Sequence, residues 1–342
     1  MKKEIKLKSL VSYLKTTHIK LNLTFLNKLL KDASKSNLPH RDKKFAQRIG
    51  CPINKNKKSA MTIYGWIKGY RTIPMDKLIK IVKLSSYSWE NVEMNLISIK
   101  AGIRSGEIKP NFPIKIDKKL GSIVGHILGD GSIEKRFHSV FFSNSDLELL
   151  KEFSKYSEEI FGIKPRIWVQ KRRLFHEKSQ WLMKVDSLKK VPKNHSVGLF
   201  YPKICCDILY FLCGKFAEGK NKNITDQIKK SNKNFKIGFV RAFFDDEGSI
   251  RADNYTIRLH QDNKDMLKDF RDILKELNIN SNLIRTYIKR EKSRYYFNIT
   301  GFKEYYRFNE LIGCTSPKKK KELELLINKV KKSKYFKKKY SL

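Results

Sequence analysis

The 342 residues are 40 % hydrophobic and 12 % aromatic, enough apolar material for two or three packed domains and too much for a disordered chain. Against that globular background, 74 Lys and Arg face 34 Asp and Glu, a formal charge of +40 spread along the whole length, which attracts polyanions at long range. No run of about 18 uninterrupted apolar residues offers a membrane span, so nucleic acid is the expected polyanion. The opening MKKEIKLKSLVSYLKTTHIK carries acid and Thr where a secretory leader needs an unbroken apolar core, so a cytoplasmic location is expected. Cys51, Cys205, Cys206, Cys213 and Cys314 form no CxxC pair and lack His at finger-like spacing; they are expected to be small core residues, without zinc.

Residues 1–100 are expected to be a small all-α unit. Leu21 to Ser34 places apolar residues at 23, 26, 29 and 30, one helical face. FAQRIG at 45–50 is a short helix closed by Gly50. After a polar loop, Met61 to Lys68 carries Ile63, Trp66 and Ile67 on one face and Thr62, Tyr64 and Lys68 on the other. Pro74 then precedes the amphipathic segment MDKLIKIVKL. The pattern TIYGWIKGYRTIP followed by a helix resembles the repressor-type helix-turn-helix family, with a longer loop between Gly50 and Met61 than that family's tight turn. The resemblance implies that Thr62, Tyr64 and Lys68 face base edges and that Tyr70 and Arg71 touch phosphates.

Residues 101–117 hold prolines and glycines without helical period and read as a linker. Next comes LGSIVGHILGDGSI, Leu120 to Ile133, an apolar helix pattern that stops on Gly-Asp-Gly. It has an echo 117 residues on, IGFVRAFFDDEGSI, so that Asp130 corresponds to Glu247. The same offset superposes Val140 on Ile257, Phe142 on Leu259, Leu150 on Leu267 and Phe153 on Phe270, which marks an internal repeat, 118–232 and 233–330. Each copy reads as helix, two strands, helix, two strands, helix, with Ser145 expected to cap the middle helix of the first. Farther on, LCGKFAEGKNK matches LIGCTSPKKKK at an offset of 99, which implies an insertion of 18 residues in the first copy, expected within residues 187–204. The remaining 331–342 form a lysine-rich tail suited to unspecific phosphate binding.

A carboxylate at a helix C-terminus faces the negative end of the backbone dipole, so its recurrence in both repeats argues for a nearby cation. Gly125, Gly129 and Ala242 are small enough for the two helices to meet closely and bring the acids together. Two carboxylates in a basic protein suit Mg2+ or Mn2+, which can activate water and neutralise a leaving oxygen in phosphodiester hydrolysis.

These paired stretches resemble the signature helices of the LAGLIDADG homing endonucleases in their single-chain, two-repeat form. The resemblance implies an α+β fold, tandem αββαββα repeats whose sheets form a saddle over DNA. It implies Asp130 and Glu247 as metal-binding acids, with the carbonyls of Gly129 and Asp246 sharing in coordination. Lys220 or Lys222 in one copy and Lys319 or Lys321 in the other would assist catalysis. Departures from the family pattern are His126 and Leu128 in the first motif and Asp246 at the helix crossing, where a small residue is usual. On the strands, alternation nominates Arg166, Trp168 and Gln170, then Arg258, His260, Arg285 and Tyr287, as the DNA-facing side. The expected protein is a monomeric endonuclease with a long asymmetric double-stranded target. The alternatives are a regulator that binds DNA without cutting and a maturase acting on intron RNA. The chain lacks a Cys or Ser start and an Asn end, so an intact self-splicing element is not expected.

Overall fold

Two helices, Lys118–Leu128 and Lys233–Glu247, pack against each other at the centre of the molecule. The computed structural model describes residues 4–332 apart from 12, 15, 54–58, 103–104, 135–138, 171–180, 192–194, 219–220 and 290–291. Asp117 caps the first helix through the N–H groups of Lys119 and Leu120, and Asn232 caps the second through that of Phe235. Every residue from Leu120 to Leu128 is buried, so this helix is wrapped by protein on all sides.

Small residues set how closely the helices approach. A Cβ on Gly121 would run into the carbonyl of Phe235, and one on Gly238, its repeat equivalent, into that of Lys118. Gly125 faces Ala242, whose Cβ would lie 2.9 Å from an added methyl. Gly125 and Ala242 thus meet where the helices cross, Gly129 lies against Asp246, and Gly121 and Gly238 extend the close approach along the helices.

Each motif helix feeds a sheet. In the first repeat the strands are Gly131–Glu134, Ser139–Asn144, Arg166–Gln170 and Ser196–Tyr201; in the second they are Gly248–Arg251, Thr256–Gln261, Arg285–Lys289 and Lys292–Ile299. Both sets take the spatial order first, second, fourth, third, with antiparallel pairing throughout. Val140 and Phe142 are buried in one sheet and Ile257 and Leu259 in the other, so alternation turns one face inward and leaves the other open. Helices Leu147–Phe161 and Lys264–Glu276 bury their apolar stripes on the inner faces. Helices Lys203–Cys213 and Phe302–Leu311 complete αββαββα in each copy.

Several expectations need correction. The added material of the first repeat is not within 187–204, because Ser196–Tyr201 is the sheet's regular fourth strand, paired to Ser139–Asn144. An extra strand, Trp181–Val185, pairs instead with Arg166–Gln170 at the sheet edge. A length offset tells how much is inserted and not where. Asp146 rather than Ser145 caps Leu147–Phe161, accepting from the N–H of Glu148 at 3.0 Å. Residues 1–100 are not all-helical. His18–Leu21 pairs with Ile73–Pro74 and with Leu96–Lys100, and Glu107–Ile108 adds a fourth strand. The expected linker thus supplies sheet: Ile108 is fully buried, and Ile114–Lys115 pairs with Glu4–Ile5. These strands are two to five residues long, too short for a period to show in the sequence. The tail from 333 onward lies outside the described residues.

Candidate metal and nucleic-acid site

Asp130 stands just past the end of the first motif helix and Glu247 is the last residue of the second. Asn144, at the end of its strand, donates from Nδ2 to Asp130 Oδ2 at 2.9 Å and to Asp246 Oδ1 at 3.4 Å, which ties the first acid to the second helix. Burial raises the pKa of Asp130 against the pull of Lys222 and Lys319. Glu247 is pushed up to about 7, first by burial and then by the charge of Asp130. Both acids are thus held above their ordinary range, and a cation beside them would favour their ionised forms.

Two lysines already stand at the helix ends. Lys222 Nζ donates to the carbonyl of Gly129, while Lys319 Nζ donates to the carbonyls of Phe244, at 3.0 Å, and Asp245. Each motif helix therefore ends on an ammonium group, and the cation that the dipole argument demands is supplied in both copies by the chain itself. Burial pushes both lysines below their ordinary range, against the neighbouring carboxylates. They reach these positions by different routes: Lys222 on the short strand Asn221–Lys222, Lys319 in the first turn of helix Pro317–Lys332. Lys321, two residues farther along that helix, is exposed, and Lys220 lies outside the described residues.

Asp246 does not crowd the crossing. Gly129 lies opposite, where an added Cβ would fall 2.6 Å from that of Asp246. The carboxylate turns to His126, whose Nδ1 lies 3.0 Å from Oδ2 and 3.2 Å from Oδ1, with both side chains 0 % exposed. On the other side of the ring, His126 Nε2 lies 3.9 Å from Glu152, too far for a hydrogen bond but within ion-pair range, while Glu152 accepts from Ser122 at 2.7 Å, Arg241 at 3.1 Å and Thr315 at 3.0 Å. Burial opposes the imidazolium charge, yet Asp246 and Glu152 outweigh it and hold His126 at about 9. Asp246 itself is raised to about 6 by burial, against the attraction of His126. Sequence reading missed this network because its members are scattered from Ser122 to Thr315. A signal was present in the two departures, His126 and Asp246, each polar at an otherwise apolar position.

The donors suit a hard divalent ion, since all are oxygen. Asp130 and Glu247 would hold it through their carboxylates and Asp246 through its carbonyl, its side chain being engaged by His126. The Gly129 carbonyl is occupied by Lys222. Among the described residues no three acid, His or Cys side chains form a ready cage, so water and phosphate oxygens would complete the shell.

The strands that follow the two acids lead into sheets with one open face each. In the second repeat Arg251, Arg258, His260, Tyr287, Arg294 and Tyr296 surround a hollow of about 610 Å3. Arg258 is fixed within it: Nε donates to Asn298 Oδ1 at 2.8 Å and the guanidinium lies 4.5 Å from the Tyr296 ring. Arg285 is exposed on the neighbouring edge strand. On the first sheet Phe141 packs against Phe200 at 4.7 Å, beside the row of Arg166, Trp168 and Gln170. Of the nominated strand residues, Arg258, His260 and Tyr287 share this hollow with Arg251, Arg294 and Tyr296, which alternation had not singled out. In the N-terminal region Thr62, Lys68, Tyr70 and Arg71 line one groove. Tyr64 instead packs edge-on against His40, 5.4 Å between centroids.

This is a two-repeat α+β fold with acids brought together where its motif helices end. Residues 117–191 and 234–313 match the family model described as a LAGLIDADG-like domain. Among solved structures, a mesophilic variant of the homing endonuclease I-DmoI shares 15 % identity with a TM-score of 0.41, over 61 % of this chain and 98 % of that one. The homing endonuclease I-WcaI bound to its DNA recognition sequence shares 18 % identity with a TM-score of 0.41, over 61 % and 87 %. Two curated relatives come from Methanocaldococcus jannaschii. DNA-directed RNA polymerase subunit Rpo1C is 24 % identical over 73 % of this chain, and glutamine–fructose-6-phosphate aminotransferase is 21 % identical over 92 %. The chain spans about a quarter of the length of each, 26 %. No helix among the described residues is long and apolar enough to cross a membrane.

Proposed function

We propose that the chain is a site-specific double-strand DNA endonuclease whose reaction is hydrolysis of phosphodiester bonds with a divalent metal. The observation that carries this reading is that Asp130 and Glu247 stand at the ends of two packed helices, near enough for the charge of Asp130 to raise Glu247, with Lys222 and Lys319 on the helix-end carbonyls and a basic hollow on the sheet that the second helix leads into. A bound Mg2+ or Mn2+ would supply Lewis acidity and an activated water. The chain's own part is to hold the two acids, orient Asp130 through Asn144, and keep ammonium groups near the oxygens that gain negative charge. The sheet faces set the register on the duplex, as single-chain asymmetry suits a long, non-palindromic target.

Selection of cleaved sites from a random duplex library with Mg2+ tests activity and specificity together. Asp130→Asn and Glu247→Gln are each expected to lower cleavage of a selected site by at least about 10³-fold, the scale of losing a main transition-state contact. DNA affinity measured in Ca2+ should change little. Cleavage retained by both variants would falsify the assigned roles. Selection of no site by a protein that still binds duplex would favour the non-cleaving regulator.

A further inference from the structure

The N-terminal region carries a groove of about 940 Å3, between helix Met61–Ile67 with its following turn and the sheet of His18–Leu21, Ile73–Pro74 and Leu96–Lys100. We propose that this groove is a second nucleic-acid site, one that takes an unpaired strand instead of a duplex. Its volume falls within the roughly 300–1,000 Å3 of sites that enclose small ligands, room enough for an unstacked nucleotide.

Three features select that occupant. Leu23 and Ile97 line the groove while remaining 43 % and 39 % exposed, an apolar surface suited to a base. Lys20, Lys68 and Arg71 line it too, cations for a phosphodiester chain, with Glu107 the one acid among the lining residues, its carboxylate accepting from Ser98 Oγ at 3.1 Å. Tyr70 is 79 % exposed, yet its backbone is fixed: the N–H groups of Tyr70 and Arg71 both donate to the Gly65 carbonyl, at 2.9 and 3.2 Å. Gly69, with φ of +74°, makes that turn. The stem of Arg71 lies across Gly65, where an added Cβ would come within 3.1 Å of it. An aromatic ring presented to solvent from a rigid turn, beside held cations, is a stacking platform for bases.

A duplex fits less well. Major-groove reading requires a helix that projects, whereas Thr62 and Lys68 line a concavity and Tyr64 is turned onto His40. The site is separate from the acids of the two repeats, so it stands or falls independently of cleavage.

The test uses the full chain in chelator, with excess unlabelled duplex to occupy the sheet faces. Octamers of thymidine or uridine bearing one photoactivatable 4-thio base are crosslinked and mapped by mass spectrometry. Crosslinks are expected at Tyr70 or its groove neighbours. Tyr70→Leu and the pair Lys68→Ala with Arg71→Ala should each weaken octamer binding by roughly fivefold or more. Arg285→Ala, on the second sheet, should not. Because Tyr70 is exposed, its loss leaves the fold intact, which circular dichroism checks. Tighter binding of the uridine octamer assigns RNA and the reverse assigns DNA; either supports the site. Crosslinks confined to the repeats, equal binding by the Tyr70 variant, or equal Tyr70-dependent binding of an eight-pair duplex would overturn it.

Discussion

His126 and Asp246 each break an apolar pattern alone and make an ion pair together. Removing His126 leaves the Asp246 carboxyl buried without its countercharge, to be neutralised or carried unpaired, so His126→Ala should cost about 3–5 kcal/mol in urea unfolding. The double variant with Asp246→Ala should cost less than the sum, which a double-mutant cycle measures. The pH dependence follows from the same pair. His126 lies above its ordinary 6.5, so its contribution is complete below pH 6.5 and is lost as pH climbs through about 9. Asp246, lifted to about 6, also favours the fold while protonated and acts in the same direction at lower pH. Glu152, held at about 2, contributes above its ordinary 4.5 and loses that only in strong acid. Stability should therefore decline from pH 6.5 to about 9, and His126→Ala should flatten that decline. Arg258 yields a second prediction. Its Nε is bound and its plane is stacked, which leaves the terminal amino groups as a fixed fork suited to guanine O6 and N7. Arg258→Lys should erase a guanine preference at one base pair, worth about 1–3 kcal/mol, in binding selections. Unchanged selection profiles would sink that assignment. The acids and the strand residues were legible because each has a position in a repeat or an alternation. The His126–Asp246 pair was not, because contact across 120 residues leaves no local period.

At the level of elements, the motif helices were readable from the 117-residue echo, since close packing demands small residues and glycine marks them. The structure adds that Gly121 and Gly238 mirror one another, each against the partner helix's backbone. Gly238→Ala should destabilise by about 1–3 kcal/mol through overpacking, read as a lower Tm. Gly102→Ala, with open space around its added methyl, serves as the control and should leave Tm nearly unchanged. The N-terminal sheet stayed hidden for the opposite reason. Its strands are brief, and their partners range from His18 to Ile108, so backbone pairing rather than side-chain pattern defines them. The extra strand Trp181–Val185 was likewise visible only as surplus length.

Across the whole molecule, duplication of the fold has not kept the two surfaces alike. Arg251, Arg258, Arg285 and Arg294 mark the second sheet, while Phe141, Trp168 and Phe200 mark the first. Selected targets should therefore be non-palindromic, and arginine-to-alanine changes on the second sheet that remove a phosphate contact should each reduce the salt slope of binding by about one. Footprinting with those variants identifies the half-site concerned. Lys222 and Lys319 have a different consequence, one for the life of the protein before it meets DNA. Since each motif helix ends on its own ammonium group, the fold is expected to form without free metal, and any ion the proposed reaction uses would be acquired afterwards. Excess EDTA is expected to leave Tm within about 0.5 °C of its value in Mg2+, below the roughly 1.4 °C that 1 kcal/mol would produce in a chain of 342 residues. With Lys222→Met and Lys319→Met combined, metal should begin to raise Tm, because the ion would then do what the lysines did.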